Sequence, residues 1–335
     1  MIDVAVVGAS GYTGLELLKI LINHPKFNIT YIATSGGGED ILDLHPSLTG
    51  LIDSCVKKAD AKEIAKSAKL AFLALPHKAS MGFAKELLAV GVKIVDLSAD
   101  YRLKLETYEK HYCPHVDKEH LKDAVYGLPE MYREDIKKSS LVANPGCYPT
   151  ASILALLPFV DMIDENYPIF IDAKSAVSGA GKKCTENTHY ISINENIFAY
   201  NPFMHRHEPE ISEKLNLASG KTFDINFVPH LIPATRGEMI DAYMLLKEEI
   251  DPIKVLKSYY KDEKFIRIFK KPVDIKSSAG TNFCDIFAKC KGKKLYINST
   301  VDNILRGASS QAVVNANLMC GFEENLAIPT IAYVP

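Results

Sequence analysis

A chain of 335 residues is too long for one ordinary hydrophobic core and suits two domains of roughly 150 residues each. Its 47% hydrophobic and 24% charged composition excludes a disordered or fibrous protein. With 39 basic and 41 acidic residues and no long single-sign run, it carries no electrostatic footprint for nucleic acid or an anionic membrane, so a small-molecule partner is expected.

The opening Met-Ile-Asp-Val-Ala-Val-Val-Gly holds an apolar run of about six residues, far short of the ~20 that a membrane span needs. It reads as a buried strand over 4–7. A helix over 13–23, a strand over 29–33, a strand over 70–75, a helix over 78–90 and a strand over 93–97 follow. Strands alternating with helices predict parallel pairing in a doubly wound α/β sheet. A short strand over 141–144 then precedes an apolar helical stretch over 151–160, opened by Pro149.

The second half reads differently. Strand candidates over 224–229, 239–246, 284–290 and 295–299 are separated by few helices, one over 251–260, which predicts an α+β domain with a mixed or antiparallel sheet. The last helix is expected over about 304–320, with Gly321 as its stop. Neither a repeat nor a low-complexity linker is visible, so closely packed domains are expected. Seven cysteines without a CxxC pair fit neither a disulfide framework nor a zinc site; a reducing, cytoplasmic setting follows.

After the first strand stands Gly8-Ala-Ser10-Gly11-Tyr12-Thr13-Gly14, running directly into a helix. A tight turn approached closely by phosphate needs residues without Cβ, and a helix start supplies N–H donors and positive dipole. The turn therefore reads as a dinucleotide site, with packing alone as the competing explanation. The second strand ends in Thr34-Ser35-Gly36 rather than in the acid that binds the ribose hydroxyls of NAD. Small hydroxyl residues leave room for a 2′-phosphate, which favours NADP, although Glu39 and Asp40 follow and no neighbouring basic residue is visible.

Cys147 sits between a short strand and Pro149, where a helix start would stabilise a thiolate. The chemistry leaves two readings open, a nucleophile or an inert buried thiol. His205-Arg206-His207 offers two imidazoles as proton-transfer partners, on one side if the segment is extended. Metal binding, for which no third ligand has a recognisable spacing, and a solvated loop are the alternatives.

Taken together, GASGYTG (8–14), AFLALPHKAS (71–80), VDLSADYRL (95–103), NPGCYPT (144–150), SGAGKK (178–183), HRHEPEI (205–211), FVPHLIPATRGE (227–238) and DNILRGASSQAVVNANLMCGFEE (302–324) resemble the N-acetyl-gamma-glutamyl-phosphate reductases, relatives of aspartate-semialdehyde dehydrogenase. The resemblance spans nearly the whole chain. It implies a Rossmann-type NADP-binding domain from 1–146 and about 307–335, with the final helix returning to it, and a catalytic and oligomerisation α+β domain over 147–306. It further implies NADPH-dependent reduction of an acyl phosphate to a semialdehyde in arginine biosynthesis, by a cytoplasmic homodimer or homotetramer.

Carried over residue by residue, the resemblance makes Cys147 the nucleophile and His207 or His205 the acid/base, with His207 preferred. It places Gly8, Ser10, Gly11, Tyr12, Thr13, Gly14, Thr34, Ser35, Pro76, Ser178, Gly179 and Asn303 on the cofactor, and Arg102, Asn144, Arg206 and Arg236 on the substrate. No metal is implied. In aspartate-semialdehyde dehydrogenases the base sits in a glycine-histidine pair, where this chain has Gly237-Glu238. The sister carrier-linked aminoadipyl-phosphate reductase of lysine biosynthesis and a non-catalytic NADP-binding sensor are the rival readings.

Overall fold

The structure, a computed structural model, describes residues 1–333; residues 334 and 335, the end of the expected returning segment, lie outside it. The chain forms two compact units, one of Met1–Pro145 with Ala308–Pro329, the other of Gly146–Gly307 with the chain from Thr330.

The first unit is built on seven strands: β1 (Ile2–Val7), β2 (Phe27–Thr34), β3 (Lys57–Lys58), β4 (Leu70–Leu73), β5 (Lys93–Asp96), β6 (Val125–Tyr126) and β7 (Leu141–Ala143). They lie in the order β3-β2-β1-β4-β5-β7-β6, and every pairing is parallel. β4, β7 and the last four residues of β1 are buried throughout, as strands covered on both faces must be. The strand order reverses between β1 and β4, the switch point at which doubly wound sheets hold their ligands.

The helix Ser309–Met319 belongs to this unit and all its residues are buried. Its polar side chains bind backbone: Asn315 Nδ2 donates to the Gly127 carbonyl at 3.0 Å, and Ser309 Oγ to that of Thr13 at 2.9 Å. The helix starts five residues later than the periodicity suggests, because the Asp302 carboxylate accepts the N–H groups of Ile304 and Leu305 and holds that segment as a turn. A helix over Pro129–Lys138, which the sequence reading did not anticipate, packs against it.

The second unit holds β8 (Ile169–Ala176), β9 (Phe198–Ala199), β10 (Ile225–Ile232), β11 (Glu238–Leu245), β12 (Ile266–Ile268), β13 (Cys284–Lys291) and β14 (Lys294–Val301). Their order is β12-β13-β14-β11-β8-β10-β9. β8 pairs with β10 and β12 with β13 in parallel, and the remaining pairings are antiparallel, so the sheet is mixed. One face is covered by the helix Cys147–Leu156, buried from Tyr148 onward and packed on β11 and β14. Ile153, Leu154 and Leu156 are each fully buried there, worth roughly 1.5–3 kcal/mol apiece. The other face carries exposed Phe170 paired to Tyr243, and Lys174 bridging Asp172 and Asp241 at 2.8 Å each. β8 escaped the sequence reading because Asp172 and Lys174 interrupt its apolar run. Both project to the open face, while Ile169, Ile171 and Ala173 point inward. Among the described residues no helix is long and apolar enough to cross a membrane.

Candidate active site

In the first unit the glycine turn is shaped by contact. Gly8 has φ +90°, and a Cβ there would stand 2.2 Å from the Ala74 carbonyl oxygen. One on Gly14 would stand 2.5 Å from the Gly8 oxygen. The chain therefore passes closely over β4 and then over itself. Gly11 precedes the helix Tyr12–Ile22 with no side-chain cap and no acid in the first turn, leaving the N–H groups beside Ser10, Tyr12 and Thr13 for an anion. Pro76 follows β4 on the same strand-end edge. This cradle fits the pyrophosphate of a dinucleotide.

At the end of β2, Thr34 Oγ1 accepts the Gly37 N–H at 3.0 Å and donates to Glu39 at 3.3 Å, while Ser35 is exposed. β3 brings Lys57 and Lys58 into register with Ala33 and Thr34. The basic residues that the sequence lacked nearby are supplied by a distant strand.

Arg102 and Asn144 also belong to the first unit. Buried Arg102 donates from Nε to the Asn144 carbonyl at 2.7 Å and from Nη2 to that of Leu97 at 2.8 Å. Asn144 donates to the Ala308 carbonyl and accepts from Asn315, each at 3.0 Å. These bonds fix the segment after β7.

In the second unit Cys147 is the first residue of its helix, with Gly146 as cap and no acid in the first turn. The Gly146 N–H donates to buried Glu210 at 3.0 Å, which ties the helix start to the helix Glu208–Ser219. A Cβ on Gly307 would stand 2.6 Å from the Cys147 Cβ, so only glycine lets the Asp302 turn pass there. Elsewhere, burial pushes the Cys320 thiol up to about 11 and raises Cys290 as well.

His205 and His207 occupy a turn entering the helix Glu208–Ser219, rather than an extended segment. They nevertheless converge. Their ring centroids lie 4.8 Å apart, and 5.6 and 5.8 Å from the ring of Tyr148, the residue after Cys147. His205 Nδ1 accepts the His207 N–H at 3.1 Å, which leaves the ring proton on Nε2. Burial, reinforced by Arg206, pushes His205 down to about 4, so it is neutral at pH 7. Arg206 itself is exposed.

Arg236 grips buried Asp302 through Nε at 2.9 Å and Nη2 at 3.3 Å. Asn303 accepts the Gly237 N–H at 2.9 Å and donates to Ser178 at 2.9 Å. Gly179 lies against both Ser175 and Asn303. The expected cofactor residues of this unit are thus one cluster, and it borders Glu238, which the sequence reading passed over. Glu238 is fully buried, sits opposite Ser175 in the ladder, and is pushed up to about 8 by desolvation. The detectable signal was an acid on the inward side of a strand whose next inward residues are Ile240, Ala242 and Met244. Among the described residues no group of three His, Cys, Asp or Glu side chains is arranged to hold a metal ion.

Residues 3–139 match the family model described as "Semialdehyde dehydrogenase, NAD binding domain", and residues 147–303 match "Semialdehyde dehydrogenase, dimerisation domain". The N-acetyl-gamma-glutamyl-phosphate reductase of Sulfurovum sp. is 60% identical over 335 residues, covering 100% of both chains. That of Sulfurimonas denitrificans is 56% identical, covering 100% of this chain and 99% of its own. Among solved structures, aspartate semialdehyde dehydrogenase II from Vibrio cholerae superposes with a TM-score of 0.73 at 17% identity, covering 96% of this chain and 98% of that one. The Candida albicans aspartate semialdehyde dehydrogenase solved with NADP gives 0.72 at 14%, covering 97% and 99%. A nicotinamide-binding parallel sheet beside a mixed-sheet dimerisation domain, and full-length identity of this order, place the chain in the N-acetyl-gamma-glutamyl-phosphate reductase family, oxidoreductases with the semialdehyde dehydrogenase fold.

Proposed function

We propose that the chain reduces N-acetyl-L-glutamyl 5-phosphate to N-acetyl-L-glutamate 5-semialdehyde and phosphate, through a thioester on Cys147, in the cytoplasmic synthesis of arginine. The observation that carries this reading is Cys147 itself. It stands at an uncapped helix start, pressed against Gly307, with two imidazoles gathered on its neighbour Tyr148. Relatives with this name are the most similar curated proteins reported above.

Cys147 sulfur, its developing negative charge favoured by the helix dipole and the N–H groups of its first turn, attacks the acyl carbon, and phosphate leaves. The chemistry that a nicotinamide would supply when bound is hydride transfer to the resulting thioester. Cys147 then holds a thiohemiacetal whose oxyanion needs a donor. His207 is the residue assigned to that proton transfer, because His205 is kept neutral and its Nδ1 is engaged. His205 orients the pair by accepting the His207 N–H through Nδ1. Arg206, the exposed cation of the set, suits an anionic substrate group.

Ser10, Gly11, Tyr12 and Thr13 would hold the pyrophosphate on the helix start. Thr34, Ser35 and the lysines of β3 favour NADP over NAD, since a 2′-phosphate needs hydroxyls and cations where NAD needs an acid. The open sheet face with Phe170, Tyr243 and Tyr167, each about half exposed, is the surface expected to bury against a second copy. Purified protein assayed with N-acetylglutamate semialdehyde, phosphate and NADP should form NADPH. Absence of turnover with that substrate would sink the reading, and dissociation constants for NADP and NAD test the cofactor assignment.

A further inference from the structure

Glu238 is an unusual neighbour for a thiol. It opens β11 with no exposed surface, and its carboxyl oxygens close no full hydrogen bond, with Cys147 and Ser175 at the edge of reach. Leaving an ionised carboxylate in such a place costs several kcal/mol. The turn before it holds it there: Gly237, at φ +104°, lies 2.7 Å from Ile275 at its would-be Cβ, its N–H is tied to Asn303, and Arg236 is locked to Asp302. Facing the carboxyl are Cys147 from its helix, Ser175 from β8 and Asp302 from the turn after β14. The first two lie within hydrogen-bonding reach and favour its ionised form, while the charge of Asp302, like burial, favours the neutral one. The phenols of Tyr148 and Tyr200, 3.2 Å apart, are desolvated and feel the charges of both Cys147 and Glu238. A buried, fixed acid whose nearest side-chain partners are the reacting sulfur and one serine is placed for proton exchange with that sulfur.

We propose that Glu238 holds the Cys147 proton during the reaction, taking it as the sulfur attacks and returning it when the thiohemiacetal collapses. This rests on the thioester reading above. In the first half, which starts from the form in which Cys147 and Glu238 share a single proton and which gains population as pH rises toward 8, the S–H bond breaks and a carboxyl O–H bond forms, the sulfur bonds to the acyl carbon, and the C–O bond to phosphate breaks with its electron pair leaving on phosphate. Phosphate takes its proton from solvent or imidazole. In the last step the thiohemiacetal O–H proton returns to His207, the freed oxygen pair forms the carbonyl, the C–S bond breaks with its pair returning to sulfur, and the Glu238 O–H proton goes back to Sγ as the aldehyde leaves. Glu238 is then neutral while the site holds thioester, the state that its burial favours. The ordering also explains an acid whose affinity for protons lies near that of a thiol, since transfer between matched groups proceeds readily in both directions.

The test is Glu238→Gln, which keeps the volume and removes the exchangeable proton. Two readouts are needed: steady-state turnover, and the pH dependence of Cys147 alkylation by iodoacetamide, followed by mass spectrometry. The unaltered enzyme should show two coupled ionisations in labelling, one near pH 8. The variant should bind NADP(H) within about twofold, lose turnover by roughly 10²-fold, and label with a single ionisation. Turnover within about threefold of the parent, with an unchanged labelling profile, would overturn the proposal. Should the variant not fold, the parent's profile decides, because a single ionisation there removes the coupled pair. A parent that labels in two steps yet has no reductase activity would overturn the reaction assignment alone and leave the proton exchange standing.

Discussion

The two sheets, each of seven strands, solve different problems with different materials. The first is wholly parallel, buried on both faces at its centre, and offers its ligand mainly backbone: glycines that must lack a side chain and helix N–H groups left uncapped. The second is mixed and open on one face, and it offers side chains, with a thiol, two imidazoles and an acid set by packing rather than by a motif.

The largest test of that contrast is Cys147→Ser, which should leave NADP(H) binding intact and reduce turnover by roughly 10³-fold or more. Titration calorimetry beside steady-state kinetics separates the two effects, and retained turnover would remove the covalent scheme. Next, His207→Asn should lower kcat by about 10²-fold and abolish an ionisation in the pH profile, whereas His205→Asn should keep that ionisation. Matching profiles for both variants would mean that neither imidazole is the base.

A smaller effect concerns stability. Glu238 has its folded pKa raised from 4.5 to about 8, so the folded state binds the extra proton. Its contribution is fully present below 4.5 and is lost as pH rises through 8. His205, pushed down from 6.5 to about 4, works in the opposite sense at acid pH, which makes pH 6.5 to 8 the clean window. Across it, Glu238→Gln should cancel a stability loss on the order of 2 kcal/mol, visible as a flatter dependence of Tm on pH. Parallel Tm curves for parent and variant would show that the carboxyl is not shifted.

Smallest is Gly14→Ala. Its Cβ would meet the Gly8 oxygen at 2.5 Å, so the turn must open. NADP(H) affinity should fall by about tenfold while the alkylation rate of Cys147 stays unchanged. A change in both readouts would blur the division of labour between the sheets.

Much of this architecture was legible early because it depends on local pattern. Alternating apolar strands and amphipathic helices announced the parallel sheet, since period and length are properties of the segment itself. The mixed second sheet was legible in class, but β8 was not, because its outward Lys174 is satisfied by Asp172 beside it and by Asp241 on a neighbouring strand. The histidines were found by composition. Their convergence on Tyr148 comes from a turn rather than from an extended alternation.

What the sequence determined alone is what short-range sterics and hydrogen bonding dictate: the glycine turn before a helix, the cysteine at a helix start, and the order of elements. Tertiary structure decided the rest. Lys57 and Lys58 stand beside Thr34 only because β3 pairs with β2. Glu238 is an ordinary glutamate in the sequence. Desolvation by elements distant in the chain gives it its affinity for a proton, because the cost of a charge depends on everything that excludes water around it.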